Sequence, residues 1–489
     1  MIFQKIITRD DLFPCALCED APCTKACRVI DCARLLRAAW FDNEQGAARA
    51  LPQVLPCEKC PSKCEKACVL PGAVRIRRTM LKLSEIKPEL DISETPDASG
   101  LRTTFAGFAL VNPFLLDARS ATDTLDKCRA ALASGYGGLL LNVTGRAQTR
   151  HVSPQYDALK MGGSVVGLVD IGCRDYPSDD GDDDAPSGEL TFIPALKREY
   201  PNRMIVAVIL GSETARCVRL AALSDQAGAD ALLIDFSRIS SITAIEECVR
   251  LVSERTERPV ILRLSHQNVN MIEALDLAEN HHVTALAAAQ GIMGILAVNR
   301  HTCLPEPSVH GQSAAGRYNG LAVKPGALAV LTAVAHKAVP QKLDILAGTG
   351  VECWSDALDF LLLGANAVCV SEAVLYYGLR IIDDLTDGLS AYILEKNFDN
   401  VGQIVGMGLS QLVPAEALDT DTVIYPRISR TKCIKCGRCH TACREAASGA
   451  IVNDLDHTPM LIAKQCTGCH LCVQVCPTGA ITISRRNAR

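Results

Sequence analysis

Little in this chain points to a nucleic acid, a membrane or a nicotinamide nucleotide. Its 489 residues carry 50 Lys and Arg against 55 Asp and Glu, a net charge of -5. A protein built for a polyanion presents a basic face, so nucleic acid is excluded as the main partner. The segment from Met1 to Asp11 has no apolar run of signal-peptide length, and the longest apolar stretch, near Ala285 to Val298, is broken by Gln290 and two glycines. No segment is therefore expected to address or span a membrane. No G-x-G-x-x-G follows any candidate strand, so the chain is expected to have no nicotinamide site of its own. Cysteine is also sparse through the middle of the chain, which holds only seven of the 24.

The other seventeen cysteines sit at the two ends, nine from Cys15 to Cys68 and eight from Cys433 to Cys476. Cysteine-rich chains without a secretory signal bind metal more often than they form disulfides, which places this one in a reducing cytoplasm. The C-terminal block reads Cys433, Cys436, Cys439, Cys443, then Cys466, Cys469, Cys472, Cys476 and Pro477. That is C-x2-C-x2-C-x3-C twice, the two-cluster bacterial ferredoxin spacing, in which the fourth cysteine of each run ligates the other cluster. One [4Fe-4S] cluster then takes Cys433, Cys436, Cys439 and Cys476, and the other takes Cys466, Cys469, Cys472 and Cys443. Zinc needs four ligands in C-x2-C pairs and would leave the third and fourth cysteines of each run idle.

The length suits two to four domains, and 48% hydrophobic residues suffice for a large core. At the N-terminal end Cys15, Cys18, Cys23 and Cys27 precede a helical stretch, Cys32 to Ala50, followed by Cys57, Cys60, Cys64 and Cys68. Leu35, Leu36, Ala39 and Trp40 recur at helical spacing and are expected to pack over the cluster loops. From about Leu101 short apolar runs alternate with amphipathic ones. Strands are expected at Pro113 to Leu116, Gly138 to Val143, Ile205 to Leu210, Ala231 to Phe236, Pro259 to Leu264, Val283 to Ala289, Asp344 to Ala347 and Ala367 to Val370. Eight strands with helices between them give an α/β fold, a (β/α)8 TIM barrel, with a doubly wound sheet as the alternative. The acidic run Ser178 to Asp184 reads as a solvated loop between the second and third strands. In such a barrel chemistry sits past the C-terminal ends of the strands, here at Asn142, Asp235, Arg263, Gln290, Gly348, Gly350, Ser371 and Glu372 among others. Gly348-Thr349-Gly350 lies where barrels commonly bind phosphate through backbone amides, although a tight turn explains the glycines equally well.

The runs Val111-Asn112-Pro113-Phe114, Val152-Ser153-Pro154, Ala322-Val323-Lys324-Pro325, Asp359-Phe360-Leu361-Leu362-Leu363-Gly364-Ala365 and Ile424-Tyr425-Pro426-Arg427 resemble the flavin barrel of dihydropyrimidine dehydrogenases. The ferredoxin end continues the resemblance, and the N-terminal block resembles the family's two-cluster domain. The resemblance implies an α-helical N-terminal Fe-S domain over residues 1–82, a linker over 83–100, a dihydroorotate-dehydrogenase-like barrel over 101–426 and a bacterial-ferredoxin-like α+β domain over 427–489 with two [4Fe-4S] clusters. It also implies two N-terminal clusters, one on Cys15, Cys18, Cys23 and Cys68, the other on Cys27, Cys60 and Cys64. The family completes the second with a glutamine, where this chain has Met80. A thioether is a poor ligand there, which leaves Cys57 as the candidate fourth ligand, an altered cluster as the alternative, and Cys32 as a buried thiol.

In the barrel the resemblance implies FMN, with Asn142, Lys324, Gly348, Gly350 and Ser371 as its contacts, but several positions depart. The family's lysine near the flavin is Asn142. Its Asn-x-Ser-Cys-Pro, which carries the proton-transfer acid, is Asp235-Phe236-Ser237-Arg238-Ile239. Arg263, Ser265, His266 and Gln267 replace a lysine, threonine, proline and asparagine. Reducing a pyrimidine double bond needs a placed acid beside the hydride donor. Arg238 stays protonated and cannot serve.

Two readings follow. In one, the chain is an electron-transfer subunit whose barrel has lost the pyrimidine chemistry. In the other, it is an FMN-dependent reductase in which Arg238, Arg263 and His266 receive an anionic substrate. The arginines can equally fill a vacated flavin pocket through salt bridges to Asp235 or Glu372. Under both readings electrons enter or leave through a flavoprotein or other redox subunit, so a hetero-oligomer is expected. A cluster-bearing sensor ranks last.

Overall fold

The structure is a computed structural model, described here for residues 12–70, 74–86, 98–144, 152–161, 164–171, 188–211, 213–236, 241–263, 283–288 and 291–483. The chain forms two compact units, Met1–Ser410 and Gln411–Arg489.

The first unit is built on a closed parallel barrel. Its strands are β1 (Phe114–Leu116), β2 (Gly138–Asn142), β3 (Met204–Leu210), β4 (Ala231–Asp235), β5 (Val260–Arg263), β6 (Val283–Ala288), β7 (Asp344–Ala347) and β8 (Ala367–Val370). They pair in sequence order, and β8 closes on β1. Each lies within one residue of the bounds expected from the apolar runs. The runs are nearly continuous in Val, Ile, Leu and Ala because both faces of a barrel strand are buried. Alternate residues such as Leu115, Leu140, Leu233, Ile261 and Leu346 fill the interior, while Leu116, Leu139, Leu141, Ile205 and Ile209 face the surrounding helices. A short hairpin, Thr103–Phe105 with Phe108–Leu110, adds Phe105 and Leu110 to the interior. The Ala106 N–H donates to the carboxylate of Asp344, the first residue of β7, which sets the hairpin at the N-terminal end of the barrel.

A four-stranded antiparallel sheet, Ile292–Gly294, Gly316–Asn319, Ser164–Asp170 and Tyr156–Met161, was not expected. It joins the segments that follow β2 and β6. Its partners are about 150 residues apart in sequence, so no local pattern announces the pairing. The acidic run Ser178 to Asp184 lies outside the described residues, as does most of the linker.

The N-terminal cysteine block belongs to the same compact unit. The single helical stretch expected from Cys32 to Ala50 is two helices: α1 (Cys32–Trp40) and a shorter one, Glu44–Arg49. Asp42 breaks them with φ +65°, and Leu35, Leu36, Ala39 and Trp40 are buried as expected. The break is where the block docks on the barrel. The Asp42 carbonyl accepts the indole N–H of Trp354 at 3.1 Å, and its carboxylate accepts the Ser355 hydroxyl at 3.0 Å. Next in the chain come α2 (Ile76–Ser84), then, in the helix ring, α3 (Lys324–Ala338), α4 (Trp354–Leu362) and α5 (Ile381–Glu395). From α5, Asp384 pairs with Arg37 and Asp387 accepts from Asn43 at 2.7 Å. Arg380, the residue before α5, donates to the carbonyls of Ala16 and Cys18.

The second unit is small. Pro426–Ile428 pairs antiparallel with Ile481–Ile483, and Ile451–Asn453 with Pro459–Leu461. Between them lie α6 (Arg438–Ala446) and a short helix, Leu471–Gln474. Its buried core is Cys439, Cys443, Cys472, Ala450, Ile451 and Ile481. Half of that core is cysteine, so little apolar packing holds the unit without whatever the thiols bind.

Candidate functional site

The two C-terminal thiol loops share a backbone design. In each, the residues flanking the middle cysteine are left-handed: Lys435 and Gly437 around Cys436, Gly468 and His470 around Cys469. Left-handed residues make the chain curl, so that successive amides turn inward around a small anionic body. The Lys435 and Gly468 amides point at Cys433 and Cys466 sulfur, each at 3.4 Å. Amide donors on cluster sulfur are one of the means by which a protein tunes potential. Cys433, Cys436, Cys439 and Cys476 line one cavity, and Cys443, Cys466, Cys469 and Cys472 line the other. Each cavity thus draws three thiols from one run and one from the other. No three His, Cys, Asp or Glu side chains among the described residues converge closely enough to hold a single metal ion. Thiols around open space suit an iron–sulfide cube better than zinc.

At the N-terminal end Cys15 lies in the electrostatic company of Cys18, Cys23 and Cys68. A second cavity is lined by Cys27, Cys57, Cys60 and Cys64, with Cys32 and Met80 in its wall.

Among the described residues, the C-terminal mouth of the barrel carries a buried cluster of charge. Asp235 and Arg263, the last residues of β4 and β5, stand side by side in register. The Arg263 guanidinium donates to Asp117, just past β1, at 2.9 Å and to Asp235 at 3.4 Å, with its side chain only 5% exposed. Burial alone would lower the Arg263 pKa, but Asp117 and then Asp235 more than offset it, so it rises. Asp235 was expected as a salt-bridge partner, whereas Asp117 was missed. The signal was available, since Asp117 is the first polar residue after the apolar run of β1.

The other predicted barrel residues fall into three groups. Asn142 accepts the Thr144 amide at 3.0 Å. Lys324, at the start of α3, donates to Asp356 and Asp359 of α4, each at 2.7 Å. Burial would lower its pKa; Asp356 first, then Asp359, raise it instead. Gly348, Gly350 and Ser371 do come together after β7 and β8. Gly350 has φ +67°, and a Cβ there would stand 2.6 Å from the Gly320 carbonyl; a Cβ on Gly348 would stand 2.5 Å from the Cys369 carbonyl. Neither position tolerates a side chain. Arg238, His266 and Gln290 lie outside the described residues.

What fills this glycine cradle is Glu372. The Gly350 N–H donates to Glu372 Oε1 at 2.6 Å, and the Ser371 hydroxyl donates to Oε2 at 2.5 Å. Glu372 is buried. Burial pushes its carboxyl up, and Ser371 and nearby amides pull it back only in part. In either protonation state its oxygen occupies the Gly350 amide. Ionised, it would repel each phosphate charge about 4 Å away by roughly 4 kcal/mol at an effective dielectric of about 20. The amide of Gly350 in this cradle is thus taken by the chain's own Glu372.

Comparison with known proteins agrees with the architecture. Residues 426–483 match the 4Fe-4S dicluster domain family and residues 237–393 the dihydroorotate dehydrogenase family. The chain is 30% identical over 398 residues to the NAD-dependent dihydropyrimidine dehydrogenase subunit PreA of Escherichia coli strain K12, covering 78% of this chain and 95% of that protein. It is 25% identical over 329 residues to the chloroplastic dihydropyrimidine dehydrogenase (NADP(+)) of Arabidopsis thaliana, covering 63% of this chain and 77% of that one. The catalytic subunit of dihydroorotate dehydrogenase B (NAD(+)) from Thermococcus kodakarensis is 33% identical over 162 residues, 33% of this chain and 51% of its own. Among the described residues no helix is long and apolar enough to cross a membrane. A match that takes in nearly the whole of a dehydrogenase subunit is too long to reflect a shared barrel alone, and the chain belongs to the dihydropyrimidine dehydrogenase family of iron–sulfur and flavin oxidoreductases.

Proposed function

We propose that this protein is the iron–sulfur electron-transfer subunit of a larger redox complex, with clusters at both ends and a barrel that serves as scaffold. The observation that carries this reading is the contrast inside one chain. The thiol cavities stand ready for clusters, whereas the Glu372 carboxylate sits on the Gly350 amide where a flavin phosphate would bind. The competing reading, an FMN-dependent reductase for an anionic substrate, needs Arg263 to meet a carboxylate of that substrate. Asp117 and Asp235 already take its two terminal nitrogens.

The relative from Escherichia coli is an NAD-dependent subunit by name. This chain shows no dinucleotide fingerprint, so the electron entry point belongs to a partner, a flavoprotein or other redox subunit. Anaerobic purification followed by iron, sulfide and flavin analysis tests the proposal. About sixteen iron and sixteen sulfide per chain, four clusters of four, with flavin well below stoichiometric, is the expected result. Stoichiometric FMN that survives gel filtration would overturn it.

A further inference from the structure

The second N-terminal cavity decides a question that the family resemblance leaves open: what replaces the missing glutamine. We infer that Cys57 is the fourth ligand of this cluster, which makes it an all-cysteine [4Fe-4S] site on Cys27, Cys57, Cys60 and Cys64. The inference rests on the iron–sulfur reading of the N-terminal block.

Three observations carry it. First, the cavity has Cys27, Cys57, Cys60 and Cys64 all in its lining. They come from three separate pieces of chain: Cys27 ends the helix Pro22–Cys27, Cys57 sits in the turn Pro56–Glu58, and Cys64 lies in the helix Lys63–Ala67. Second, the Cys57 turn is held in place by Arg77 of α2. Its guanidinium donates to the Cys57 carbonyl and to the Glu58 carbonyl, each at 2.6 Å, and the Arg77 amide donates to the Glu65 carboxylate at 2.9 Å. One residue thus ties the Cys57 turn to the helix that carries Cys64. Third, Met80, one turn further along α2, is fully buried in the same wall and offers the cavity an apolar surface rather than a ligand.

Cys32 is the rival. It also reaches the cavity wall, but it is the first residue of α1, buried to 1% exposure. Cys57 and Cys64 belong to the same buried cluster but each keeps 7% exposure, so Cys32 is the most enclosed of the three, on a helix that turns Leu35 and Leu36 inward. A fourth thiolate binds iron with loss of its proton and gives the site one negative charge more than three thiolates and a neutral amide would. The Arg77 guanidinium, held against the Cys57 turn, offsets part of that charge. The consequence is a cluster of lower potential than a glutamine-ligated one, shifted in the direction that added charge dictates.

The test uses the full chain, purified and reconstituted anaerobically, with iron counts and EPR of the reduced and the mildly oxidised protein. Cys57→Ala should lose about four iron of about sixteen, or leave one cluster as a three-iron species with its own EPR signal in the oxidised state. Cys32→Ala should keep the full count and the wild-type spectra. Cys57→Ser, which can supply an alkoxide, should keep its iron but shift the EPR signal and midpoint potential of one cluster only. Retention of about twelve iron in Cys57→Ala shows that the rest of the protein has folded and loaded. Full iron with unchanged spectra in both Cys57 variants, or loss of iron in Cys32→Ala alone, would overturn the inference. Failure of the relay proposal would leave these counts unchanged, since they report ligation and not electron flow.

Discussion

Two regions of this protein gather charge or latent charge, and they settle it differently. At the mouth of the barrel Arg263 is buried between Asp117 and Asp235, and Glu372 lies on the Gly350 amide and the Ser371 hydroxyl. The partners seen among the described residues are the chain's own, although the Arg263 Nε has none among them. In the cysteine cavities the thiols instead surround open space. A site that satisfies its own polar groups gains stability and gives up affinity for a ligand, because a ligand must first displace the internal partner. A site that converges on empty space does the reverse. Under the proposed function, the family plan is kept at the ends of the chain and closed in its middle, with no change of fold.

The largest expected effect tests the dependent side of that contrast. Stripping iron with a chelator under anaerobic, reducing conditions should unfold the second unit while the barrel stays intact, because half of that unit's core is cluster-binding cysteine. Hydrogen exchange should show Ile451–Asn453 and Ile481–Ile483 losing protection while β3 and β4 keep it. Equal protection in both units would break the comparison.

The self-satisfied side is tested by Arg263→Met. Removing the cation leaves Asp235 buried beside Asp117 with their shared partner gone, a change that costs about 3–5 kcal/mol. The denaturation midpoint of the barrel should fall accordingly, while the iron count stays at its wild-type value. A variant of unchanged stability would mean that the mouth does not depend on internal pairing.

The smallest effect is a dependence on pH. The folded-state pKa of Glu372 is raised above its ordinary value, chiefly by burial. The folded protein therefore holds this proton more tightly than the unfolded chain does, and stability is lost as pH rises from the ordinary carboxylate range through the raised pKa. Glu372→Gln keeps an acceptor for Gly350 and removes the titration. As the pH is raised from about 5 to about 8, the wild type should lose stability relative to Glu372→Gln. The slope should approach roughly 1 kcal/mol per pH step of about one wherever the folded protein holds the proton and the unfolded chain has released it. Parallel pH profiles would show that Glu372 does not titrate differently on folding.

The barrel was legible because its strands are short apolar runs buried on both faces, so composition alone marks them. The C-terminal cysteine spacing was legible as a two-cluster pattern, and the structure gathers the same two sets of four thiols around two cavities. What the sequence did not show depends on distance along the chain. Arg263 meets Asp117 across 146 residues, and the antiparallel sheet joins segments on either side of four barrel strands. Glu372 is different again. Its position past β8 was visible, and as a possible partner it was matched to an arginine. Its real partners are the Gly350 amide and its neighbour's hydroxyl, and backbone amides leave no mark in a sequence.

Arg380 has a consequence for how this protein opens and closes. By gripping the carbonyls of Ala16 and Cys18 from the start of α5, it splices a thiol loop onto the helix ring. Together with the Asp42 contacts to Trp354 and Ser355, it makes the N-terminal block and the barrel a single cooperative unit, in which local opening of one draws on the stability of the other. A cluster loop tied to the barrel in this way opens only together with part of that larger core. A part of the molecule with no chemistry of its own in the proposed function would thus set the lifetime of the part that has it.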